Sequence, residues 1–282
     1  MADSTAPGQV AAPPGGRLLA LAKRGAEHLL WGRVALQRRV ETRTRSRRPS
    51  PTTVAATGVL TDAATWRRAA DEARRLRLPL HRDLPKNWDA LGAVAAVLDL
   101  VDDGSRSARI MDAGSARYSS VLPWLRLYGF GHAPGSLIGI NLEFGRQVTR
   151  DGVVFRYGDV TDTGLPTGHL DAITCMSVIE HGVPLQPFLA ESARLLRPGG
   201  ILSVSTDYDQ QPPDTTGKQV YGSDVHIFSP REIRDFVALA DEHDLELVGS
   251  LDDDDLAHTE RPVHWGRVDL DYTFILLTFR RR

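Results

Sequence analysis

The segment from Ala108 to Ser119 constrains the fold of this chain more than any other part of the sequence. An apolar run ends at Asp112, a turn of small residues follows around Gly114, and a helix is predicted to begin near Ser119. In an open α/β sheet, a strand, a tight turn and a helix N-terminus form the place where a nucleotide-like ligand binds. A dinucleotide cradle needs the spacing G-x-G-x-x-G, and this turn has one glycine, so a nicotinamide-dependent dehydrogenase is the least favoured interpretation.

Strands and helices alternate along the chain after this turn. The strands are continuous apolar runs, which is typical of a parallel sheet covered by helices on both faces. The predicted strands are 108–112, 136–141, 152–157, 170–176, 200–206, 245–251 and 272–279. The predicted helices are 17–40, 61–77, 88–101, 118–129, 142–149, 184–196 and 230–243. The sequence therefore predicts an α/β fold.

Composition narrows the class of protein. The chain has 282 residues, of which 41% are apolar and 25% charged, as is ordinary for a soluble globular protein. With a formal net charge of −2, the chain has no overall positive charge to attract nucleic acid, so no nucleic-acid partner is expected. The single cysteine, Cys175, excludes an intrachain disulfide framework and a multi-cysteine zinc site, and it fits a reducing cytoplasm. No apolar run reaches the roughly 18 residues that a spanning helix needs, and residues 1–16 lack a secretory pattern, so a cytoplasmic protein is predicted.

Three regions are predicted from changes in composition along the chain. Residues 1–55 are an N-terminal extension, disordered over 1–16 and then helical and basic; residues 56–105 are a helical lead-in; residues 106–282 are the ligand-binding domain. The arginine-rich stretch within residues 17–48 permits contact with a membrane surface or another anionic partner. A solvated basic helix followed by a linker is favoured over that contact, because the apolar face is short and no second anchoring signal accompanies it.

Polar side chains follow the next predicted strands at the edge where ligands bind. Asn141 ends the second strand, Gly158-Asp159-Val160 follows the third, and Met176-Ser177 ends the fourth, which runs into Glu180-His181. The run Leu195-Leu196-Arg197-Pro198-Gly199-Gly200 stops a helix and makes a wide turn into the fifth strand.

The order of these motifs resembles that of the class I S-adenosylmethionine-dependent methyltransferases over about residues 86–282. The set begins with Asp112-Ala113-Gly114-Ser115 and ends with the run 195–200. The resemblance implies a Rossmann-like, seven-stranded, mostly parallel sheet with an antiparallel last strand and helices on both faces, here with an N-terminal helical extension. It also implies S-adenosyl-L-methionine as the cofactor. The residues that it assigns to cofactor binding are Asp112 and Gly114 at the methionine part, Ser115 in the same motif, Asn141 at the ribose, Asp159 and Val160 at the adenine, and Met176 and Ser177 beside the cofactor.

Two positions depart from the family pattern. Ala116 stands where a second glycine is common, which makes the turn slightly less open. Asn141 stands where the family usually has an acidic residue, so ribose binding loses a charge-assisted hydrogen bond, and Glu143 is the neighbouring carboxylate that can substitute for it.

Methyl transfer from a sulfonium requires an acceptor held in line, and a hydroxyl acceptor also requires a base. His181 is the first predicted catalytic residue, because it follows the fourth strand directly and histidine titrates near neutral pH; the alternative is that it only caps the next helix. Asp207, after the fifth strand, is the second, with a solvated loop as its alternative. The long segment 207–229 is predicted to form the acceptor pocket, and no metal site is predicted. The substrate residues predicted in that segment are Tyr208, Tyr221 and His226.

The leading hypothesis is a methyltransferase for a small hydroxylated metabolite, such as a sugar or glycosylated natural product, with O-methylation favoured. A protein or nucleic-acid methyltransferase is the first alternative, and the basic N-terminal segment motivates it. A non-catalytic interaction module that keeps the cofactor fold is the second, motivated by Ala116 and Asn141. A homodimer is left open.

Overall fold

The structure of the protein is a computed structural model that describes residues 14–44, 48–220 and 222–282. The helices are α1 (Pro14–Thr44), α2 (Ala63–Arg75), α3 (Lys86–Leu100), α4 (Val121–Tyr128), α5 (Leu185–Leu195) and α6 (Pro230–Glu242), with a 3₁₀ turn at Ile179–His181. The strands are β1 (Gly58–Val59), β2 (Ile110–Ala113), β3 (Leu137–Asn141), β4 (Val148–Arg150), β5 (Val153–Tyr157), β6 (Leu170–Met176), β7 (Leu196–Tyr208), β8 (Gln219–Val220), β9 (Ser223–Asp224), β10 (Leu245–Leu247), β11 (Val263–Trp265) and β12 (Leu270–Arg281).

One large sheet organises these elements, in the order β1-β12-β7-β6-β2-β3-β5-β4, with β10 and β11 also paired to β12. Strand β2 lies between β3 and β6, and all three run parallel, as do β3 with β5 and β6 with β7. Strand β12 is antiparallel to β7. The predicted fold class is therefore confirmed, and each of the seven predicted strands is present. Within the described residues the sheet gains three short strands that the sequence did not indicate, namely β1, β4 and β11.

The predicted helix over 142–149 is wrong, because side-chain hydrogen bonding turns the chain there. The Asn141 side-chain oxygen accepts from the backbone N–H of Glu143 at 2.8 Å, and Phe144 N–H donates to the Asn141 carbonyl at 3.2 Å. The segment then continues into β4, which pairs antiparallel with β5. Asparagine commonly closes a local turn of this kind in competition with helical hydrogen bonds.

Helix α3, in the last part of the predicted lead-in, packs on the sheet and is buried over nearly its whole length, from Asn87 to Leu98. Its apolar residues surround the helix, as is typical of a helix packed in a protein interior. The first turn of α3 reaches the carboxyl end of β7, where the Ser205 hydroxyl donates to the Asp89 carboxylate at 2.6 Å. This packing brings two charged side chains of α3, Lys86 and Asp89, to the ligand edge of the sheet.

Helix α1 also packs on the sheet. Trp31 and Val34 are buried in the same apolar cluster as Ile110 of β2. The Trp31 indole N–H donates to the backbone carbonyl of Arg117, just after the first turn, at 2.8 Å. Predicted disorder over 1–13 lies outside the described residues, whereas 14–16 already belong to α1. Among the described residues, no helix is long and apolar enough to cross a membrane. The region boundaries at 55 and 105 stay predictions.

Candidate active site

The turn after β2 has a backbone shape that only glycine suits. Gly114 has φ +73°, in the left-handed region, and a Cβ at this position would lie 2.4 Å from Cγ2 of Val178. Left-handed backbone and contact with a neighbouring loop both disfavour any side chain. The next residue is held in place because Ser115 N–H donates to the Ile140 carbonyl at 2.9 Å. The turn is therefore fixed against β3 and open toward the edge of the sheet.

Asp112, the last polar residue of β2, is buried under this turn and 2% exposed. The hydroxyl of Thr174, on the neighbouring β6, donates to Asp112 Oδ1 at 2.7 Å. Burial raises the pKa of Asp112 to about 6, although hydrogen bonds from Ser115 and Thr174 act in the opposite direction. A buried carboxyl without a cationic partner is disfavoured when ionised. A positively charged ligand placed beside Asp112 would restore the carboxylate.

A cleft of about 60 Å³ lies between this turn and the first turn of α3. Its walls include His81, Lys86, Asp89, Asp112, Gly114 and Met176. Two water molecules occupy a volume of about this size in the liquid. A cofactor of the size of S-adenosyl-L-methionine therefore needs more room than the cleft offers.

Ser177, at the end of β6, has the features of a ligand-contacting residue. Its φ is +52°, in the left-handed region that serine rarely adopts. Its backbone N–H donates to the Ser205 carbonyl at 3.0 Å. Its hydroxyl oxygen is buried, and the described part of the protein gives it no hydrogen-bond partner. Strained residues and unpaired buried polar groups occur where a ligand completes the site. Asp112 and Gly114 line the cleft and Ser177 lines the adjoining cavity, and their assignment to cofactor binding stays a prediction.

The residues predicted at the ribose and adenine lie at the ends of β3 and β5. Asn141 Nδ2 donates to the carbonyls of Gly114 at 3.1 Å and Ser115 at 3.2 Å, so its side chain ties β3 to the turn. Asp159 Oδ1 accepts from the Thr161 backbone and hydroxyl, at 2.8 and 2.7 Å. Asp159 and Val160 are both partly exposed and accessible to a ligand. Their assignment to cofactor binding stays a prediction.

A second cavity, of about 190 Å³, lies beside the cleft. Lys86 lines both the cleft and the cavity. The other polar walls of the cavity are Asp83, Ser177, Glu180, His181, Asp207, His264 and Tyr272. The two predicted catalytic residues, His181 and Asp207, therefore come together in one cavity, next to the turn assigned to the cofactor.

The charges of this cavity influence one another strongly. Burial raises the pKa of Asp207 to about 7, even though Lys86 lowers it and the Tyr272 hydroxyl hydrogen-bonds the carboxylate. Burial and the charge of Asp207 together raise the pKa of Glu180 well above its ordinary value. Burial alone would lower the pKa of Lys86, but the carboxylates of Asp89, Asp207 and Glu180 outweigh it and raise that pKa. Near neutral pH the cavity thus holds a cation and carboxyl groups that can take up a proton.

His181 has a different electrostatic state from Asp207. Burial, followed by the charge of Lys86, lowers the pKa of His181 to about 4. Its ring packs edge-on against Trp265, with ring centroids 6.2 Å apart. At neutral pH the imidazole is uncharged, and its affinity for a proton is much weaker than that of Asp207. A role in catalysis stays a prediction for both residues, and the electrostatics favour Asp207 as the base.

The residues predicted to contact the substrate are not brought together. Tyr208 follows Asp207 on β7 and points to the opposite face, where it is fully buried and its hydroxyl donates to the Leu256 carbonyl at 2.8 Å. His226 lies in another groove, of about 660 Å³, which shares Glu180 with the cavity, and it pairs with Glu232 at 3.1 Å. Tyr221 lies outside the described residues. The structure buries the Tyr208 side chain away from the cavity and places His226 in the groove, so the acceptor pocket predicted over 207–229 stays a prediction.

The sequence interpretation did not assign roles in the site to Lys86, Asp89, Glu180 or Tyr272. One local signal was available for Lys86. A lysine in the first turn of a helix opposes the helix dipole, and such a position suggests a compensating acidic environment. The contact of Tyr272 with Asp207 depends on how β12 pairs with β7, which sequence periodicity does not give.

Comparison with protein families matches residues 113–204 to a family described as a methyltransferase domain. Among solved structures, an S-adenosylmethionine-dependent methyltransferase from Mesorhizobium loti is similar, with 16% identity and a TM-score of 0.47 over 68% of this chain and 98% of that chain. Geranyl diphosphate C-methyltransferase from Streptomyces coelicolor A3(2) is also similar, with 18% identity and a TM-score of 0.48 over 72% of this chain and 87% of that chain. A comparison with curated protein sequences gave no match.

The mostly parallel sheet with helices and an antiparallel last strand has the Rossmann-like fold of methyltransferases. Residues 113–204, from the end of β2 into β7, match a methyltransferase domain.

Proposed function

We propose that this methyltransferase transfers the methyl group to a hydroxyl of a small metabolite, such as a sugar or glycosylated natural product, and that Asp207 is the proton acceptor. The observation that supports this most directly is the carboxyl group of Asp207, with a pKa of about 7, in a cavity that shares Lys86 with the cofactor cleft. A cavity of about 190 Å³ suits a small acceptor group better than a folded macromolecule. Asp207 and Glu180 give it hydrogen-bond acceptors for hydroxyls.

S-adenosyl-L-methionine supplies an electrophilic methyl group when it is bound. An acceptor hydroxyl held in the cavity would take that methyl group from sulfur, which would keep the electron pair, and the hydroxyl proton would pass to the Asp207 carboxylate. A base works best when its pKa lies near the working pH, and burial places Asp207 there. Tyr272 holds the carboxylate by its hydrogen bond, and Lys86 stabilises the ionised form through its charge.

Glu180 supports Asp207 in this scheme. The Thr206 hydroxyl donates to Glu180 Oε2 at 3.1 Å, which orients the carboxyl group. Burial and the charge of Asp207 raise the pKa of Glu180 well above its ordinary value, since two adjacent buried carboxylates repel each other. His181, uncharged and packed on Trp265, borders the acceptor without taking the proton.

The test is a screen of hydroxylated small molecules and their amine counterparts with S-adenosyl-L-methionine, with product mass measured for each. We expect methylated hydroxyl products, and we expect Asp207→Asn to lower kcat by roughly 10²- to 10⁴-fold while cofactor binding is retained. Asp99→Asn is the matched control, because Asp99 is exposed at the far end of α3. Wild-type activity should fall as the pH drops below about 7, because the base becomes protonated.

Amine products that persist in Asp207→Asn would contradict both the hydroxyl acceptor and the base.

A location in the cytoplasm belongs to the same proposal. Its support is that the single cysteine, Cys175, is buried and unpaired, as suits a reducing compartment.

A further inference from the structure

The outer side of α1 carries an apolar row that no part of the described protein covers. Leu29, Leu36 and Val40 are 76%, 64% and 51% exposed. Their spacing places them on one side of the helix, which we call the outer ridge, while Trp31 and Val34 on the other side are buried. The described residues include only three other exposed large apolar side chains, and none belongs to α1. Exposed apolar side chains gathered in one row mark an interaction surface.

The charge beside the outer ridge is positive and uncompensated. Arg33, Arg39 and Arg43 are exposed on α1, and no ion pair found among the described residues engages them. The two acidic residues of the helix are occupied elsewhere: Glu27 binds Arg150 at 2.8 Å, and Glu41 binds Arg48 at 2.5 Å. The outer ridge is thus flanked by arginines whose charge is available to a partner.

An arginine-lined groove of about 520 Å³ adjoins this face. Arg33 of α1 lines it together with Arg74, Arg77 and Gln37, and Leu78 and Leu80 form its apolar part. Arg74 also pairs with Asp71 at 2.6 Å on the exposed surface, where such a pair contributes little. Several guanidinium groups around one groove suit an anionic phosphate group.

We propose that the outer ridge of α1 docks on an anionic lipid bilayer, with the leucines in the acyl boundary and the arginines at the headgroups. Helices with leucine on one face and arginine beside it bind membrane interfaces in this way. A nucleic acid would engage the arginines but would leave the apolar row in water. A second copy of this chain would cover the apolar row but would bring the arginines of both copies together.

Docking would hold the methyltransferase domain in a fixed orientation on the bilayer. Helix α1 is fastened to the domain at several points, including the Arg38–Asp151 pair at 2.8 Å and the Trp31 hydrogen bond to the Arg117 carbonyl at 2.8 Å. The helix therefore presents its outer ridge without leaving the sheet. This inference does not depend on the acceptor or on the catalytic role of Asp207.

The test is cosedimentation of the full chain with phosphatidylcholine vesicles, prepared with and without phosphatidylserine, across a salt series. We expect binding to the vesicles that contain phosphatidylserine, and weaker binding as salt screens the arginines. Leu29→Gln with Leu36→Gln should weaken binding by at least about tenfold, through lost apolar burial. Arg39→Gln with Arg43→Gln should weaken it by roughly fivefold for each arginine.

Arg231→Gln with Arg280→Gln is the matched control, because it removes the same charge from exposed sites outside α1. This control should bind as the wild type does, and cofactor binding should be equal in all variants, which excludes misfolding. The proposal is overturned if the wild type ignores both kinds of vesicle, or if the leucine variant binds them equally. It is also overturned if the only effect of the leucine substitutions is to convert a dimer to a monomer. Equal binding of single-stranded DNA to the wild type and the leucine variant, with no binding of either to vesicles, would overturn it as well.

Discussion

Replacing Asp112 with asparagine should stabilise the protein without cofactor and weaken cofactor binding. Asp112 is buried, and its pKa is raised from 3.8 to about 6. The ionised form is therefore disfavoured in the folded state, and folding stability falls as the pH rises from about 4 to about 6. Asparagine keeps an oxygen that can accept from the Thr174 hydroxyl, now 2.7 Å from Asp112 Oδ1, but it never ionises.

The magnitude follows from the size of the shift. A difference of about 2 pKa units corresponds to about 3 kcal/mol of unfolding free energy, lost by the wild type once the pH exceeds the folded-state pKa. The variant should gain about 1 kcal/mol over the wild type near pH 4.5 and about 3 kcal/mol near pH 7.5, so its advantage grows by about 2 kcal/mol.

Urea unfolding of the wild type and Asp112→Asn at both pH values, without cofactor, measures this difference. The matched control is Asp99→Asn, an exposed aspartate for which no comparable gain is expected. Calorimetric titration with S-adenosylhomocysteine should then show at least about a tenfold loss of affinity in Asp112→Asn, since one charge-assisted contact is removed. A variant that is destabilised by the same amount at both pH values would refute the reasoning, because the carboxyl group would then be stabilising in either protonation state.

Two further substitutions test the support of the cofactor turn. Gly114→Ala should destabilise the protein by about 2–4 kcal/mol, because it combines left-handed strain with a clash against Val178. Gly104→Ala, at φ +91° with no neighbouring atom within 4 Å, should show only the strain of about 1–2 kcal/mol, and equal losses in denaturant unfolding would contradict the proposed contact. Trp31→Phe removes the hydrogen bond to the Arg117 carbonyl, so it should lower stability by about 1–2 kcal/mol and also weaken cofactor binding. An unchanged dissociation constant for S-adenosylhomocysteine in Trp31→Phe would show that α1 does not support the cofactor turn.

The strands of the fold could be predicted from the sequence because each main strand is a continuous apolar run bounded by turn residues. The short strands β1, β4 and β11 have only two or three residues, and no periodic signal fits within that length. The helix predicted over 142–149 was wrong because Asn141 closes a side-chain turn there. Local hydrogen bonding of this kind overrides a weak helical spacing.

The candidate site, like the fold, could be predicted from the sequence only in part. Asp112 and Gly114 were identified because their chemistry is local to one strand and one turn. The cavity around Asp207 was only partly foreseen, since Lys86 and Tyr272 reach it from α3 and β12, far away along the chain. Conversely, Tyr208 lies beside Asp207 in sequence but on the other face of the sheet, because successive side chains of a strand alternate.

We propose that the cofactor lies on the turn at Gly114 with its reacting end toward the cavity of Asp207. A crystal structure of the protein with S-adenosylhomocysteine is the decisive measurement. We expect the amino acid part in the cleft beside Asp112 and the sulfur facing Lys86 and the cavity that it shares with Asp207. A ligand found instead in the groove beside His226, or with its sulfur turned away from Lys86, would contradict it.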